Sequence, residues 1–276
     1  MTTGIATVPD SLKRADDGER SSTSIETVAP FQYVSEDAAH VLVKHLFAQP
    51  DSKIPGISYA VTYRLAEGLA GGDIVDVYHF DNDSVAFSIA DIAGKGTRAA
   101  VHAALVKYGL RAYASEGLTP EKVLRSLDRL YLENNTFEGM ESFATVFFGL
   151  VDPSRRLLTY ACAAHEPALI VYPNGEAVVL EPTAPLIGVF DDQHHLFKQN
   201  FVELRPGTLF VAATDGVTEA RTKDGELFGM ARFAETIVAN RHRAEIEIVS
   251  EIVEATERHC GGRRRDDIAV LVARIH

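Results

Sequence analysis

Residues 74–89 read IVDVYHFDNDSVAFSI, and this stretch decides the fold class of the chain. Two runs rich in β-branched and aromatic residues, 74–80 and 85–89, flank the segment 81–83, whose Asp and Asn residues favour tight turns. This pattern predicts a β-hairpin with two antiparallel strands. A third run, SYAVTY at 58–63, precedes the hairpin, so we expect an antiparallel sheet to begin here.

The rest of the chain supplies helices in pairs and further short strands. Helical patterns cover 97–114, the segment that starts at Thr119, and the segments near 230–240 and 244–259. More strands are predicted over 143–150, 157–161, 168–172, 177–180, 209–213 and 268–275. Strands in runs, followed by helices in pairs, favour antiparallel sheets over alternating βαβ units. The predicted fold class is α+β, an antiparallel β-sandwich of two sheets flanked by helix pairs (α-β-β-α).

The part of the chain before residue 58 has a different pattern. Residues 1–30 are rich in Ser, Thr, Asp and Arg without a hydrophobic period, which predicts a flexible tail. Residues 31–57 form a leader with one predicted helix, over 36–48, that follows the N-cap candidate Ser35. The sequence supports two packing partners for this helix equally: the domain itself, or a second copy of the chain in a homodimer. One domain is predicted over 58–276.

Composition and charge exclude several classes of protein. The 276 residues are 46% hydrophobic and 24% charged, which is typical of a globular protein. A net charge of -12 opposes binding to nucleic acid or to an anionic membrane surface. No apolar run reaches the ~18 residues of a membrane helix, and the first residues of the sequence contain no apolar run of signal-peptide length, so we expect a cytoplasmic protein. The two cysteines, Cys162 and Cys260, lack the spacing of redox or zinc sites.

Acidic residues stand beside glycine or at the ends of predicted strands in four places. These are Asp73 in GGD, Asp91 in ADIAGKG, Asp215 in TDG, and the pair Asp266-Asp267. Any one of them alone is typical of a turn. The ends of strands in one sandwich can converge on a single edge, where clustered carboxylates repel one another unless a cation lies among them. Oxygen-only ligands select hard divalent cations, Mn²⁺ or Mg²⁺.

These motifs carry a resemblance to a known family. The set GGDxxDVY, ADIAGKG, FATVFFGLVDP, YACAAHEPALI, TDGVTEA and DDIAVLV resembles the metal-dependent serine/threonine phosphatases of the PPM type. Within that type it is similar to the bacterial subfamily of sporulation stage II E and sigma-factor-regulator phosphatases. The likeness covers about residues 58–276. It implies a central pair of antiparallel sheets flanked by helices, in agreement with the predicted elements.

The resemblance implies a site with two Mn²⁺ or Mg²⁺ ions. Asp91 matches the aspartate that bridges the metals, and the carbonyl of Ile92 matches a further ligand. Asp215 and Asp266 match carboxylates of one metal, and Asp73 matches an aspartate that reaches the other. Asp267 is adjacent to Asp266 on an extended segment and should point to the opposite face, so one of the two is expected to act indirectly.

The implied activity is hydrolysis of phosphoserine or phosphothreonine on a protein by a metal-activated water. The implied substrate is an anti-sigma-factor antagonist in a partner-switching pathway. Two alternatives stay open: a regulatory protein-binding module of the same pathway with little turnover, and a phosphatase of small phosphorylated metabolites. Ala93 stands where other members carry Ser or, in eukaryotic relatives, a histidine thought to act as general acid, so no general acid is evident there.

Other motifs favour less specific interpretations. The segment from Cys260 to Asp266 misses the register of a cysteine-phosphatase loop by one residue, and its arginines are expected to form a solvated loop that could contact a phosphate or an acidic partner. The segment 94–97 fails the P-loop pattern. His194 and His195 are expected at the surface, in a polar loop over 191–200, and His165 is expected to be structural.

Overall fold

The computed structural model describes Leu46 and residues 54–65, 72–80, 84–94, 96–138, 142–190, 192–263 and 266–276, all within one compact unit that spans Ser35–His276. The strands are β1 (Ile57–Arg64), β2 (Ile74–His79), β3 (Val85–Ile92), β4 (Ala144–Asp152), β5 (Leu157–Ala163), β6 (Ala168–Val171), β7 (Ala177–Leu180), β8 (Asn200–Glu203), β9 (Leu209–Ala213) and β10 (Ile268–Ile275). The helices are α1 (Gly96–Ser115), α2 (Pro120–Glu138), α3 (Asp215–Thr218), α4 (Gly229–Asn240) and α5 (Glu245–Cys260).

The strands form two five-stranded sheets. Sheet A has the order β1-β10-β9-β6-β7, and sheet B has the order β2-β3-β4-β5-β8. Every pair of neighbouring strands is antiparallel. The α+β sandwich predicted from the order of the elements is therefore confirmed.

Side-chain alternation along the strands builds the layers. On β2, Val75 and Val77 point into a core between the two sheets, where the ring of Phe87 from sheet B stacks on Phe210 from sheet A with centroids 5.0 Å apart. The intervening residues of sheet B, such as Ile74, pack against α1 and α2. The outer face of sheet A is covered by α4 and α5. The result is four layers, α-β-β-α, with strand ends exposed along common edges.

The structure differs from the sequence prediction in small elements. The stretch 191–200 was predicted as a polar loop, but its described part contains a 3₁₀ turn at His194–Leu196, and Asn200 opens strand β8. β8 pairs with the edge of β5, so hydrogen bonding to a neighbouring strand outweighs its polar composition. α3 was also missed, because a four-residue helix carries no hydrophobic period.

Several predictions fall on residues outside the described part of the chain. These are the flexible tail at 1–30, the turn at 81–83 and nearly all of the leader helix at 36–48. Leu46 is the exception: it is fully buried in the core beneath α1 and α2, so the leader contacts its own domain at this point. Among the described helices, none has the length and apolar character needed to cross a membrane.

Candidate metal centre

The two sheets bring the predicted acidic residues to one edge of the sandwich. In sheet B, Ile74 of β2 pairs with Ala90 of β3. The preceding residue on β2, Asp73, therefore lies beside the following residue on β3, Asp91. In sheet A, the amide of Thr214 donates to the carbonyl of Ala269 over 3.1 Å, which places the start of α3 beside the start of β10. Asp215 therefore lies next to the segment that carries Asp266 and Asp267.

Thr214 joins the two halves of this edge. Its hydroxyl donates a 2.7 Å hydrogen bond to Oδ2 of Asp73 in the opposite sheet and accepts one from the amide of Ala269 over 3.0 Å. Thr214 is fully buried, so these bonds are shielded from water. A single side chain thus fixes Asp73 relative to β9 and β10. Sequence reasoning missed Thr214, although it stands in the TDG motif beside Asp215.

Two glycines allow the backbone to close tightly around the acidic residues. A Cβ on Gly72 would lie 2.2 Å from the carbonyl oxygen of Ile92, and a Cβ on Gly216 would lie 1.8 Å from that of Asp267. Both distances are far below van der Waals contact, so no other residue fits without a backbone shift. The glycines that accompany Asp73 and Asp215 in the sequence are therefore required by close packing at the site.

The carboxylates act on one another electrostatically. Burial, followed by repulsion from Asp91, raises the pKa of Asp73 well above its ordinary value, and the Thr214 hydrogen bond opposes this only in part. Burial and then the charge of Asp266 raise the pKa of Asp91, while a hydrogen bond with Asp73 lowers it. Asp267 contributes to both shifts. These carboxylates are therefore close enough to interact electrostatically: Asp73, Asp91, Asp266 and Asp267.

The pKa of Asp215 is raised for the same reasons. Burial, followed by the charges of Asp91 and Asp266, raises the pKa of Asp215 to about 7. Glu219 and Glu166 add smaller contributions of the same sign. These two glutamates were not singled out from the sequence, since neither stands beside a glycine or directly at the end of a predicted strand. No described Lys or Arg contributes to the shifts of Asp73, Asp91 or Asp215.

The donor set at this edge fits hard divalent cations. It consists of carboxylates, with the Ile92 carbonyl at the contact with Gly72, and it includes no sulfur or imidazole ligand. Among the described residues, no three His, Cys, Asp or Glu side chains converge closely enough to enclose one ion. Mg²⁺ commonly keeps several waters and uses one or two carboxylates, so this spacing suits ions that share the edge with water.

His165 lies near the site but is not exposed to it. Its Nδ1 is 2.7 Å from Oγ1 of Thr145, the residue paired with Asp91 across β3 and β4. Burial lowers the pKa of His165 to about 3, so the ring is neutral at physiological pH. The preceding Ala164 has φ +48°, a left-handed conformation that costs a non-glycine residue about 1 kcal/mol. This geometry favours the structural role expected for His165.

The structure also locates the cysteine and histidine motifs noted in the sequence. Cys260 is a free, buried thiol in the last turn of α5, which is not the exposed loop of a cysteine nucleophile. His194 is only partly exposed, with Nδ1 3.1 Å from Oδ2 of the buried Asp128, whereas His195 is exposed as expected. Lys95 and two of the arginines before Asp266 lie outside the described residues.

Comparison with known proteins places this arrangement in a family. Residues 81–276 match the family model described as stage II sporulation protein E. The chain belongs to the stage II sporulation protein E family. The match covers every strand and helix from β3 onward and includes Asp91, Asp215, Asp266 and Asp267.

Relatives of this family member include named phosphatases. The chain is 34% identical over 155 residues to the phosphoserine phosphatase RsbU of Bacillus subtilis, covering 55% of this chain and 45% of RsbU. The chain spans less than half the length of the curated relatives it matches.

Solved structures share the fold. The SiaA-PP2C domain of Pseudomonas aeruginosa superposes with a TM-score of 0.73 at 22% identity, covering 87% of this chain and 95% of that domain. The catalytic domain of the serine/threonine protein phosphatase PstP, solved in complex with two manganese ions, gives a TM-score of 0.59 at 14% identity, covering 79% and 98%. At these identities the likeness supports the fold alone.

Proposed function

We propose that this chain is a protein phosphatase that hydrolyses phosphoserine or phosphothreonine with two Mn²⁺ or Mg²⁺ ions. The observation that carries the proposal is the buried carboxylate cluster at the shared edge of the sheets, in which Asp73, Asp91 and Asp215 all have raised pKa values. Like charges buried side by side without a described cationic partner are neutralised either by protonation, which the raised pKa values reflect, or by a bound cation, and the oxygen-only donor set suits a hard divalent cation. Membership of the family supports this assignment.

Within this proposal, Asp91 is the central ligand. Its charge acts on both Asp73 and Asp215, whereas its own pKa is raised by Asp266 and Asp267. This central position suits a carboxylate that bridges two ions. The carbonyl of Ile92 and the side chains of Asp73, Asp215 and Asp266 would complete the protein ligands, with Asp267 in direct or indirect contact.

In this proposal the residues of the chain would hold the ions in place, and the ions would supply the reactive water. When bound, divalent cations would supply an activated water and offset negative charge on the phosphoryl oxygens. Thr214 holds Asp73 in place through its 2.7 Å hydrogen bond, which would limit the movement of this ligand on metal binding. Ala93 offers no proton to the leaving group, so solvent or metal-bound water would have to do so.

The proposed substrate is a phosphorylated anti-sigma-factor antagonist in a partner-switching pathway. The likeness to RsbU, which is named a phosphoserine phosphatase, supports a phosphoprotein substrate. Since such a pathway operates inside the cell, we infer a cytoplasmic location. The predicted leader helix remains a candidate homodimer contact; a truncation that starts near residue 57 with unchanged sedimentation and activity would exclude that role.

The test is phosphate release from a phosphorylated antagonist protein with and without Mn²⁺. We expect Mn²⁺-dependent release by the wild type and at least a 100-fold loss in Asp91→Asn, because a first-sphere ligand is removed. The control is Asp152→Asn at the opposite end of β4, where the amide oxygen can still accept the bonds from Ser154 and Arg155.

Two results would count against the proposal. Full Mn²⁺-dependent activity in Asp91→Asn would exclude the metal centre described above. Binding of the phosphoprotein by the wild type without any phosphate release, in Mn²⁺ or Mg²⁺, would favour the regulatory binding module instead. Faster turnover of small phosphorylated metabolites than of the folded phosphoprotein would point to the third alternative.

A further inference from the structure

A cavity of about 120 Å³ lies beside the carboxylate cluster. Its lining includes Asp215 and Asp266 from the proposed metal centre. The same lining carries two arginines, Arg221 after α3 and Arg263 after α5. At roughly 30 Å³ per water molecule, this space admits a group the size of a carboxylate side chain.

The charge of the cavity depends on the metal centre. Divalent ions on Asp215 and Asp266 would neutralise these two carboxylates, and the two arginines would then contribute most of the remaining charge of the lining. Glu219 also lines the cavity, but its carboxylate is 3.8 Å from Arg221 and both side chains are largely exposed, so this pair is weak. Arg263 forms no ion pair with any residue that the structure describes. A loaded site would therefore present a free guanidinium to an anion.

The position of the cavity indicates which anion it would take. Its lining includes Asp215 and Asp266 but neither Asp73 nor Asp91. Asp91 is the central ligand in the proposed function, so a cavity that neither Asp91 nor Asp73 lines would lie to the side of the reacting atoms. A group that fills it would belong to a neighbouring part of the substrate chain.

We propose that Arg263, with Arg221, binds the carboxylate of an Asp or Glu next to the phosphoserine of the substrate. Guanidinium groups match carboxylates with two parallel hydrogen bonds, which gives both strength and orientation. Arg263 is thus a specificity-determining residue, and the preferred substrate is an acidic phosphopeptide segment. This inference rests on the phosphatase function proposed above.

The experiment compares two phosphopeptides that differ only in whether acidic residues or alanines flank the phosphoserine. The measured quantity is the ratio of kcat/KM for the acidic peptide to kcat/KM for the neutral peptide, in Mn²⁺. We expect Arg263→Gln to lower this ratio about tenfold through KM, in line with one lost charge-assisted contact. Arg263→Glu should favour a third peptide flanked by lysines. Arg155→Gln, which removes an exposed arginine at the far end of sheet B, should leave the ratio unchanged.

An unchanged ratio in Arg263→Gln would overturn the inference. An equal loss on both peptides and on p-nitrophenyl phosphate would also overturn it, because Arg263 would then act on the phosphoryl group itself. Arg263 is exposed, so its variants should fold, and a thermal melt would check this.

A binding measurement separates this inference from the phosphatase proposal. Non-hydrolysable phosphonate versions of the acidic and neutral peptides, each labelled with a fluorophore, would be titrated with the Mn²⁺-loaded chain. Tighter binding of the acidic version that is lost in Arg263→Gln would support the inference even if the wild type released no phosphate. Equal binding of the two versions would overturn it, whether or not the chain is a phosphatase.

Discussion

Asp73 and Asp76 stand three residues apart at the start of one strand, and both are buried, yet their surroundings are opposite. Asp76 accepts two hydrogen bonds from the Arg111 guanidinium, at 2.6 and 2.7 Å, and lies 3.4 Å from the ammonium of Lys107. Asp73 has carboxylates as its charged neighbours. Asp76 is neutralised by basic side chains of α1, whereas no described Lys or Arg contributes to the pKa shift of Asp73, as the proposed metal centre requires.

The Asp76 cluster has a structural purpose. Lys107, almost fully buried on α1, also donates a 2.6 Å hydrogen bond to the carbonyl of Leu46, so the cluster ties the leader to the helix layer. Burial lowers the pKa of Lys107, and the charge of Asp76 opposes that shift. Burial alone therefore does not distinguish the two aspartates; the sign of the neighbouring charges does, and it is basic at Asp76 and acidic at Asp73.

The largest expected effect on stability comes from breaking the neutralised cluster. Asp76→Asn should lower the free energy of unfolding by about 3–5 kcal/mol, because Lys107 would keep a buried charge without its partner. Chemical denaturation of the metal-free chain would measure this, with the exposed Asp152→Asn as control. A loss below about 1 kcal/mol would show that the cluster tolerates an unpaired lysine, and the contrast with Asp73 would weaken.

The matching change at Asp73 should have the opposite sign. In the metal-free chain, Asp73→Asn removes a charge repelled by Asp91, and the amide oxygen can still accept the bond from Thr214. We expect a gain of about 1–2 kcal/mol without metal, together with a smaller rise in Tm when Mn²⁺ is added. Thermal melts of both chains with Mn²⁺ and with EDTA would test this. A destabilised metal-free variant would contradict it.

The smallest expected effect is a pH dependence that arises from Asp215. Its pKa of about 7 in the folded metal-free chain exceeds its unfolded value of 3.8, so between these values only the folded state holds the proton. This contribution to stability is lost as the pH rises through 7. Relative to Asp215→Asn, the wild type should lose about 1 kcal/mol between pH 5 and 8, after allowance for solvent screening.

Melts in EDTA across this pH range would measure the difference between the two chains. His165, whose pKa is lowered to about 3 by burial, has the opposite pH dependence below its unfolded value, but it is present in both chains and cancels. A constant difference between the two chains from pH 5 to 8 would rule out the raised pKa of Asp215.

The fold was predictable because its elements have strong periodic patterns. The run 268–275 and the paired runs around 81–83 each became the expected strand, since their apolar side chains have no alternative to burial between layers. β8 was not predictable, because NFVE gains its conformation from pairing with β5. Local composition carries no information about such a neighbour.

The acidic residues of the site were predictable individually, but their electrostatic state was not. Each of Asp73, Asp91 and Asp215 stands in a recognisable motif, whereas their mutual repulsion depends on the register that sets strand ends side by side. The same applies to Asp76, which stands in the same run as Asp73 and whose partners lie more than thirty residues away on α1. The role of Thr214 came only from its three-dimensional contacts, whereas the arginine loop that contains Arg263 was already expected from the sequence to contact a phosphate or an acidic partner, and the cavity singled out Arg263 within it.

The position of β10 has a consequence for how the protein is made. β10 is the last of the described strands, yet it lies between β1 and β9 in sheet A. While the ribosome is still adding residues 268–275, β1 lacks the strand that it pairs with in the described sheet, and Asp266 and Asp267 are not yet held beside Thr214. The nascent chain therefore carries an open sheet until this strand emerges, and a chaperone that covers β1 and β9 during that interval would protect it from aggregation.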